Sequence, residues 1–307
     1  MKKLLLFILI CLVGNVKGQI KTKVWLDSDT GNEIDDLYAI VRLLKDPKVE
    51  VIGLSSAHYV NADLLSFDKW NGYQTTGLNA LQTSQALNEA ILEALNLSYI
   101  AHPKGADKQI GRAWGEQTAR DSEACQAIIA AAKAMPAGQK LDIITLGAMT
   151  NLASALLIAP EIKSKIRTYS LGAQYNTKTK VWNKNEFNIR CDLNAFDYLL
   201  NLPGLEMTIM PIDVAKPLAF KKEKTFGLLN KNINIEKILK DRWTEHFESS
   251  NERIMWDLAL VEAYLKPAFC QKQTVLTPPE NTKRNIRIYS ILNAPKAEAD
   301  FWQTLKQ

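Results

Sequence analysis

One stretch of the sequence joins a short apolar run to a dense group of acids: Lys23-Val24-Trp25-Leu26-Asp27-Ser28-Asp29-Thr30-Gly31-Asn32-Glu33-Ile34-Asp35-Asp36. The apolar run, residues 23–26, predicts a buried β-strand that ends at Asp27. Residues 34–44 predict a helix, because apolar residues recur there at helical spacing. The acids therefore fall in the turn between a strand and a helix, which is where α/β proteins place ligand-binding groups.

Outside this stretch, short β-rich runs alternate with helical patterns. Further strands are predicted at 49–55, 141–146, 166–171 and 207–212, and further helices at 78–95, 122–134 and 151–158. Thr150 is a candidate N-cap for the last of these helices, which Pro160 ends. Residues 222–268 are mostly helical in pattern. The alternation predicts βαβ units. We expect a single-domain, Rossmann-like α/β fold with an open, mostly parallel sheet flanked by helices and a helical C-terminal part.

The N-terminus has the pattern of a secretory signal peptide. Met1-Lys2-Lys3 is basic, and an apolar run of about ten residues follows, shorter than the roughly 20 that a membrane-spanning helix needs. Small residues then lead to Gly18. We expect residues 1–18 to be removed, leaving a domain of residues 19–307 that is exported to a bacterial periplasm and is not attached to the membrane.

Composition excludes several classes of function. The net charge of +5 includes Lys2, Lys3 and Lys17, so the chain without its signal carries about +2, too little to indicate a nucleic-acid or membrane partner. The three remaining cysteines, Cys125, Cys191 and Cys270, are widely spaced, so at most one disulfide is expected. With only three histidines, a zinc site or a Ser-His-Asp triad is not expected.

Polar residues follow the other predicted strands as well. They are Ser55-Ser56, Thr145-Leu146-Gly147, the loop from Gly172 to Asn188, and Asp213. Because ligands of open α/β sheets bind at the carboxyl ends of the strands, these groups are candidates for one site.

The acidic turn predicts a metal site. A solvated turn accounts for one or two acids, but five acids within ten residues repel one another unless a cation neutralises them. Carboxylate oxygens are the ligands that Ca²⁺ and Mg²⁺ prefer.

These residues resemble a known family. Asp27-x-Asp29-x-Gly31, Asp35-Asp36 and Ala39-Ile40 are similar to the N-terminal fingerprint of the inosine-uridine preferring nucleoside hydrolases, although three residues, Asn32-Glu33-Ile34, stand where that family usually has one. Four later segments resemble the family's motifs in the same order: residues 144–153, Glu186-Phe187-Asn188 followed by Asp192, residues 210–214, and Trp256-Asp257-Leu258-Ala259.

The resemblance implies a nucleoside hydrolase fold and hydrolysis of the N-glycosidic bond of ribonucleosides to free base and ribose. It implies a Ca²⁺ ion held by Asp29, Asp36, Asp257 and the carbonyl of Leu146. Asp35 would be the general base that activates water, and Glu186, Asn188 and Asn183 would contact the ribose. Asp27 would orient the cluster. The resemblance also implies a homo-oligomer.

Trp256 bears on which nucleobase the substrate carries. Many family members have a histidine before the acid, whereas the purine-preferring members have tryptophan there, so Trp256 favours purine nucleosides. A tryptophan in an apolar helix is also an ordinary core residue. Trp70, Trp114 and Trp182 are candidates for a second stacking ring. Asn61 or His58 would replace the asparagine that the family has after its second strand.

Two other functions remain open from the sequence. A secreted Ca²⁺-dependent binding protein or inactive homologue would explain the longer spacer and the missing histidine. A haloacid-dehalogenase-type phosphatase would use Asp27 as nucleophile and Asp29 as acid/base on Mg²⁺, since Leu26-Asp27-Ser28-Asp29-Thr30 resembles its Asp-x-Asp-x-Thr motif, with the threonine one residue earlier. That family needs a further acidic motif after the middle strands, which this sequence lacks.

Overall fold

The computed structural model describes residues 21–60, 79–111 and 117–307, so the predicted signal peptide lies outside the described residues. Its centre is a seven-stranded sheet in the order β10-β11-β7-β4-β3-β1-β2. These strands are β1 (Thr22–Ser28), β2 (Val49–Ser56), β3 (Leu141–Thr145), β4 (Ile166–Leu171), β7 (Glu206–Met210), β10 (Cys270–Leu276) and β11 (Asn285–Leu292). Two short antiparallel pairs lie outside it: β5 (Gln174–Asn176) with β6 (Val181–Asn183), and β8 (Ala219–Lys221) with β9 (Glu252–Ile254).

The sheet has its topological switch point at β1. That strand pairs in parallel with β2 on one side and with β3 on the other, and Asp27 lies between Ser55 and Thr145 in the two registers. The chain leaves β1 towards one edge and returns to extend the other edge, so the loops after β1 and β3 diverge and leave a crevice. Only β10 is antiparallel to its neighbour in this sheet. The prediction of a mostly parallel sheet is confirmed.

Helices cover both faces of the sheet. They are α1 (Asp35–Leu44), α2 (Ala80–Ala94), α3 (Glu123–Lys133), α4 (Thr150–Ile158), α5 (Phe187–Cys191), α6 (Leu193–Asn201), α7 (Ile212–Ala215), α8 (Lys222–Leu228), α9 (Asn234–Phe247), α10 (Trp256–Leu265) and α11 (Ala294–Leu305). One apolar core joins α1, α9, α10 and α11 to the sheet, and a second core joins α3, α4 and α6 to the opposite face. This three-layer arrangement is the predicted α/β architecture.

The C-terminal part differs from the prediction in one respect. Residues 222–268 are mostly helical, as expected, but the chain then forms the hairpin of β10 and β11, where no strand was predicted. Five of the seven residues of β10 are exposed. An edge strand with both faces open carries no apolar alternation, and polar residues suit it because they discourage pairing with other chains.

The predicted cap at Thr150 is wrong. Thr150 is the first residue of α4, and the residue before it makes no side-chain cap. The Thr150 hydroxyl instead donates to Asp192 Oδ2 at 2.6 Å, which ties α4 to the start of α6.

No helix in the described part of the chain is both long and apolar enough to cross a membrane. Cys125, Cys191 and Cys270 are free thiols, so the described residues contain no disulfide.

A buried arginine fixes α1 against the C-terminal helices. The Arg42 guanidinium donates to Glu262 Oε1 on α10 at 2.7 Å, to Asp300 Oδ2 on α11 at 2.6 Å, and to Asp46 Oδ2 at 2.9 Å. The side chains of Arg42 and Glu262 are fully buried. Arg42 lies in the last turn of α1 and Glu262 in the second half of α10, so this contact holds the C-terminal halves of the two helices together.

We predict that Arg42→Met destabilises the protein by about 3 to 5 kcal/mol, because it leaves the buried Glu262 carboxylate without its partner. Chemical denaturation of the mature protein measures this. Lys133→Met, which removes an ion pair between two exposed side chains, is the control and should have little effect. Equal stabilities of the two variants would contradict the structural role of Arg42.

Candidate active site

A cavity of about 270 Å³ opens at the carboxyl ends of the central strands, at the switch point of the sheet. Its lining combines acids, amides, aromatic rings and aliphatic side chains: Asp29, Asn32, Glu33, Asp35, Asp36, Leu146, Leu171, Gln174, Asn185, Glu186, Phe187, Asn188, Ile212, Trp256 and Asp257. Eight of the nine residues with a predicted role in metal binding, catalysis or substrate binding are in this set. Segments far apart in sequence therefore meet in one place.

Four buried aspartates form one wall of the cavity. Carboxylate oxygens of Asp35, Asp36 and Asp257 lie within 4.8 Å of one another. The Asp36 carboxyl is also close enough for its charge to act on those of Asp29 and Asp257. Two further oxygens, Asp29 Oδ2 and Asp257 Oδ1, are buried and accept no hydrogen bond from any described residue. Such oxygens carry a desolvation cost that a bound cation would remove.

Burial dominates the electrostatics of this wall. It raises the pKa of Asp29 and of Asp257 well above the usual value, and the negative charges of Asp36 and Asp35 raise both further. Burial, and next the charge of Asp36, raises the pKa of Asp35 to about 7. Four acids in this environment cannot all ionise by themselves. A hard divalent cation with oxygen ligands, Ca²⁺ or Mg²⁺, fits the donor set and would let them ionise together.

Hydrogen bonds from β1 and from α10 hold the acidic turn in place. Ser28 Oγ donates to Asp36 Oδ1 at 2.6 Å, and the Asp257 N–H donates to Asp35 Oδ2 at 2.9 Å. The second contact joins the first turns of α1 and α10. The aspartates are thus fixed by both the strand that precedes them and the neighbouring helix.

Asp27, in β1 before the acidic turn, is held by side chains from two other segments. Its Oδ1 accepts hydrogen bonds from Ser55 Oγ at 2.5 Å and from Asn151 Nδ2 at 2.9 Å, and it is fully buried. Asp27 is not among the described residues that line the cavity. This placement agrees with an orienting role and gives no support to the phosphatase hypothesis, in which Asp27 must reach a substrate.

The turn after β3 brings Leu146 and Gly147 against the acids. Leu146 lines the cavity, and its carbonyl accepts a hydrogen bond from Asn188 Nδ2 at 2.5 Å. At Gly147 a Cβ atom would lie 2.6 Å from Asp29 Cγ, so only glycine lets the turn approach that closely. The predicted carbonyl ligand and the predicted ribose contact are therefore direct neighbours.

Glu186 lines the cavity and is the N-cap of α5. Its carboxylate accepts hydrogen bonds from the backbone N–H groups of Asn188 and Ile189, both at 3.2 Å. Burial raises its pKa to about 7, while these N–H groups lower it. Gly172 has φ of +147°, and a Cβ there would lie 2.9 Å from Glu186 Oε2. Glu186 therefore combines the capping role that a polar loop explains with a position on the cavity wall.

Asn183 is the predicted site residue that the structure places elsewhere. Its side chain is exposed on β6, does not line the cavity, and donates to Gln174 Oε1 at 3.0 Å. Gln174 and Asn185 line the cavity instead. Both belong to the loop from Gly172 to Asn188 that the strand-end rule had selected, but nothing in their spacing distinguished them from Asn183. We therefore do not retain Asn183 as a sugar contact.

Of the tryptophans predicted to stack on a base, Trp256 lines the cavity and Trp182 does not. Trp256 is half-buried at the start of α10 and lines the cavity while also packing on the core. Trp182 does not line it, because its Nε1 donates to the Leu276 carbonyl at 2.9 Å in a different groove. Phe187 supplies the second ring among the described lining residues. Trp70 and Trp114 lie outside the described residues.

The alternative ribose contact after β2 is not supported. His58 is buried and lies outside the described cavity lining, with its Nε2 at 2.8 Å from Thr150 Oγ1. Asn61 lies outside the described residues.

The chain is similar to known proteins over most of its length. The family model for the inosine-uridine preferring nucleoside hydrolases matches residues 24–288. The chain is 25% identical to the probable uridine nucleosidase 2 of Arabidopsis thaliana over 228 residues, 70% of each chain.

Solved structures share the fold. An inosine-guanosine nucleoside hydrolase superposes with a TM-score of 0.72 at 15% identity, covering 94% of this chain and 99% of that one. A purine-preferring ribonucleoside hydrolase from Gardnerella vaginalis superposes with a TM-score of 0.63 at 20% identity, covering 92% of this chain and 98% of that one. The predicted fold and enzyme class are thereby confirmed, and the chain belongs to the inosine-uridine preferring nucleoside hydrolase family.

Proposed function

We propose that this enzyme hydrolyses purine ribonucleosides in preference to pyrimidine ribonucleosides, with Ca²⁺ at the aspartate wall and Asp35 as the general base. The observation that carries the proposal is the convergence of Asp35, Asp36 and Asp257 on one point of the cavity. Glu186, Asn188 and Trp256 line the same cavity, so a sugar and a base can be bound beside the acids.

Asp29, Asp36, Asp257 and the carbonyl of Leu146 would hold the Ca²⁺ ion. When bound, it would lower the pKa of a water molecule and ligate ribose hydroxyls. The unpartnered oxygens of Asp29 and Asp257 support this assignment. Asn188 already bonds the Leu146 carbonyl, so its amide would fix the orientation of that carbonyl next to the sugar.

Asp35 would accept the proton of the attacking water. The Asp257 N–H holds Asp35 Oδ2, which fixes the carboxylate at the wall of the cavity. A carboxylate that takes this proton contributes a typical general-base effect of about 10²- to 10⁴-fold in rate.

Glu186 and Asn188 would bind the ribose. Cleavage of an N-glycosidic bond builds positive charge on the sugar, as in O-glycoside hydrolysis. Preorganised negative groups around that sugar stabilise the charge, and Glu186 is held in place by backbone N–H groups.

Trp256 and Phe187 would stack on the base. A purine offers the larger flat surface for such stacking, and no histidine precedes Asp257 to protonate a pyrimidine leaving group. The names of two similar structures, an inosine-guanosine and a purine-preferring hydrolase, support purines, whereas the Arabidopsis relative is named for uridine.

We also propose that residues 1–18 direct export to the periplasm and that the mature enzyme is a homo-oligomer. The basic start and short apolar run support the first point. A periplasmic protein beginning at Gln19 and a mass above that of one chain are the expected findings. An uncleaved cytoplasmic monomer would contradict both.

Substitutions of Asp35 and of Asp257 are predicted to affect different properties of the enzyme. Asp35→Asn should lower kcat by about 10²- to 10⁴-fold with Ca²⁺ affinity nearly unchanged, since it removes only the base. Asp257→Asn should weaken Ca²⁺ binding at least about tenfold, since it removes a charged ligand. Calorimetry and ribose release measure the two properties. Asp213→Asn, at an exposed acid outside the cavity lining, is the control. An active Asp35→Asn enzyme would rule out the base assignment.

Trp256→Ala should reduce kcat/KM for inosine and guanosine by about tenfold or more, and that for uridine less, because the larger ring loses more stacking. Trp256→Phe should keep most of the purine activity. Thermal unfolding followed by circular dichroism checks that the variants fold. An equal loss for purine and pyrimidine nucleosides would contradict the assignment of Trp256 to base selection.

A further inference from the structure

The spacer Asn32-Glu33-Ile34 is where this chain departs from the family's N-terminal motif, and the structure gives its middle residue a partner. Glu33 lines the cavity, and its Oε2 is ion-paired with Arg253 Nη2. The side chains of Glu33 and Arg253 are only 17% and 18% exposed. This largely buried pair differs from the open surface pairs of the protein, which contribute little.

Arg253 contacts two other elements of the fold. It lies on β9 and pairs through its backbone with Phe220 of β8. Its guanidinium lies 4.0 Å from the ring centroid of Phe247, at the end of α9. Trp256 and Asp257 follow three and four residues later in the chain. The Glu33–Arg253 pair therefore joins the acidic turn to the segment that carries the base-stacking residue and one of the proposed metal ligands.

Two other contacts join the same parts of the protein. The Asp257 N–H donates to Asp35 Oδ2, and Arg242 Nη2 of α9 donates to the Gly31 carbonyl. Residues 31–35 are thus tied to α9, β9 and α10 at three points. The ion pair is the contact that the longer spacer makes possible, because it is formed by a residue of that spacer.

We propose that Arg253 is a positioning residue of the active site, which acts through Glu33. The pair, which we call the Glu33–Arg253 latch, holds the acidic turn at a fixed distance from Asp257. Without it, the mutual repulsion of the cluster favours a wider spacing of the ligands. The inference rests on the proposed Ca²⁺ site and adds a residue that neither contacts the metal nor reacts.

The direction in which Ca²⁺ affinity changes distinguishes a positioning role of Arg253 from a purely electrostatic one. If Arg253 acted only as a nearby positive charge, its removal would make the cavity more negative and tighten Ca²⁺ binding. Removal of Glu33 would then weaken binding. If the latch positions the ligands, both removals weaken binding, and the double variant is no worse than either single variant.

The experiment measures Ca²⁺ binding by isothermal titration calorimetry on chelator-treated mature protein. The series is wild type, Arg253→Met, Glu33→Gln, the double variant and Arg253→Lys. We expect about tenfold weaker binding in both single variants, no further loss in the double variant, and partial recovery with lysine. Lys224→Met, which breaks the more exposed Lys224–Glu298 pair, is the control and should bind like wild type.

Equal or tighter Ca²⁺ binding by Arg253→Met would overturn the latch, as would additive losses in the double variant. If Arg253→Met does not fold, Arg253→Gln replaces it, since a purely electrostatic role still predicts tighter Ca²⁺ binding by that variant and the latch still predicts weaker binding. A wild-type protein that binds Ca²⁺ but hydrolyses no nucleoside would contradict the proposed function and leave the binding comparison intact. A wild-type protein that binds no Ca²⁺ would overturn both.

Discussion

The arrangement of the site depends on one constraint: four aspartates are buried side by side. Carboxylates placed this way repel one another and lose their hydration, so they remain together only if the surrounding structure holds them and a cation or protons neutralise them. Asp35 and Asp36 lie in the first turn of α1 and Asp257 in the first turn of α10. The positive ends of two helix dipoles therefore point at the cluster and offset part of the repulsion.

The remainder of the fold supplies what this cluster requires. The switch point at β1 opens the crevice, the buried Arg42–Glu262 contact aligns α1 with α10, and Gly147 lets the turn after β3 close on Asp29. An enzyme that binds its metal through rigid elements can hold the ligands with little reorganisation.

Much of this could be predicted from the sequence, because its strongest patterns are local. The strand and helix on either side of the acidic turn follow from apolar periodicity, and the position of the site follows from the strand-end rule. The predictions that were wrong concern side chains whose positions are set by tertiary contacts. The Thr150 hydroxyl bonds Asp192 instead of capping its helix. The Asn183 side chain bonds Gln174, and Trp182 bonds the Leu276 carbonyl in another groove. The strand β10 was missed because an exposed edge strand has no apolar alternation. Its partner β11 does alternate, with Ile286 and Ile288 buried between exposed residues, so that strand could have been predicted. The partner of Glu33 is 220 residues away in sequence, so no spacing rule could identify it.

The central claim is that the aspartate wall binds Ca²⁺ and that this binding is needed to cleave a nucleoside. The most direct test is release of ribose by the mature protein, Gln19 onward, from inosine, guanosine, adenosine, uridine and cytidine, with Ca²⁺ and with a chelator. The account predicts release that requires Ca²⁺ and is fastest with the purine nucleosides. Release that is unaffected by the chelator would contradict the metal site. No release from any nucleoside, with Ca²⁺ bound, would contradict the catalytic role and favour a secreted binding protein.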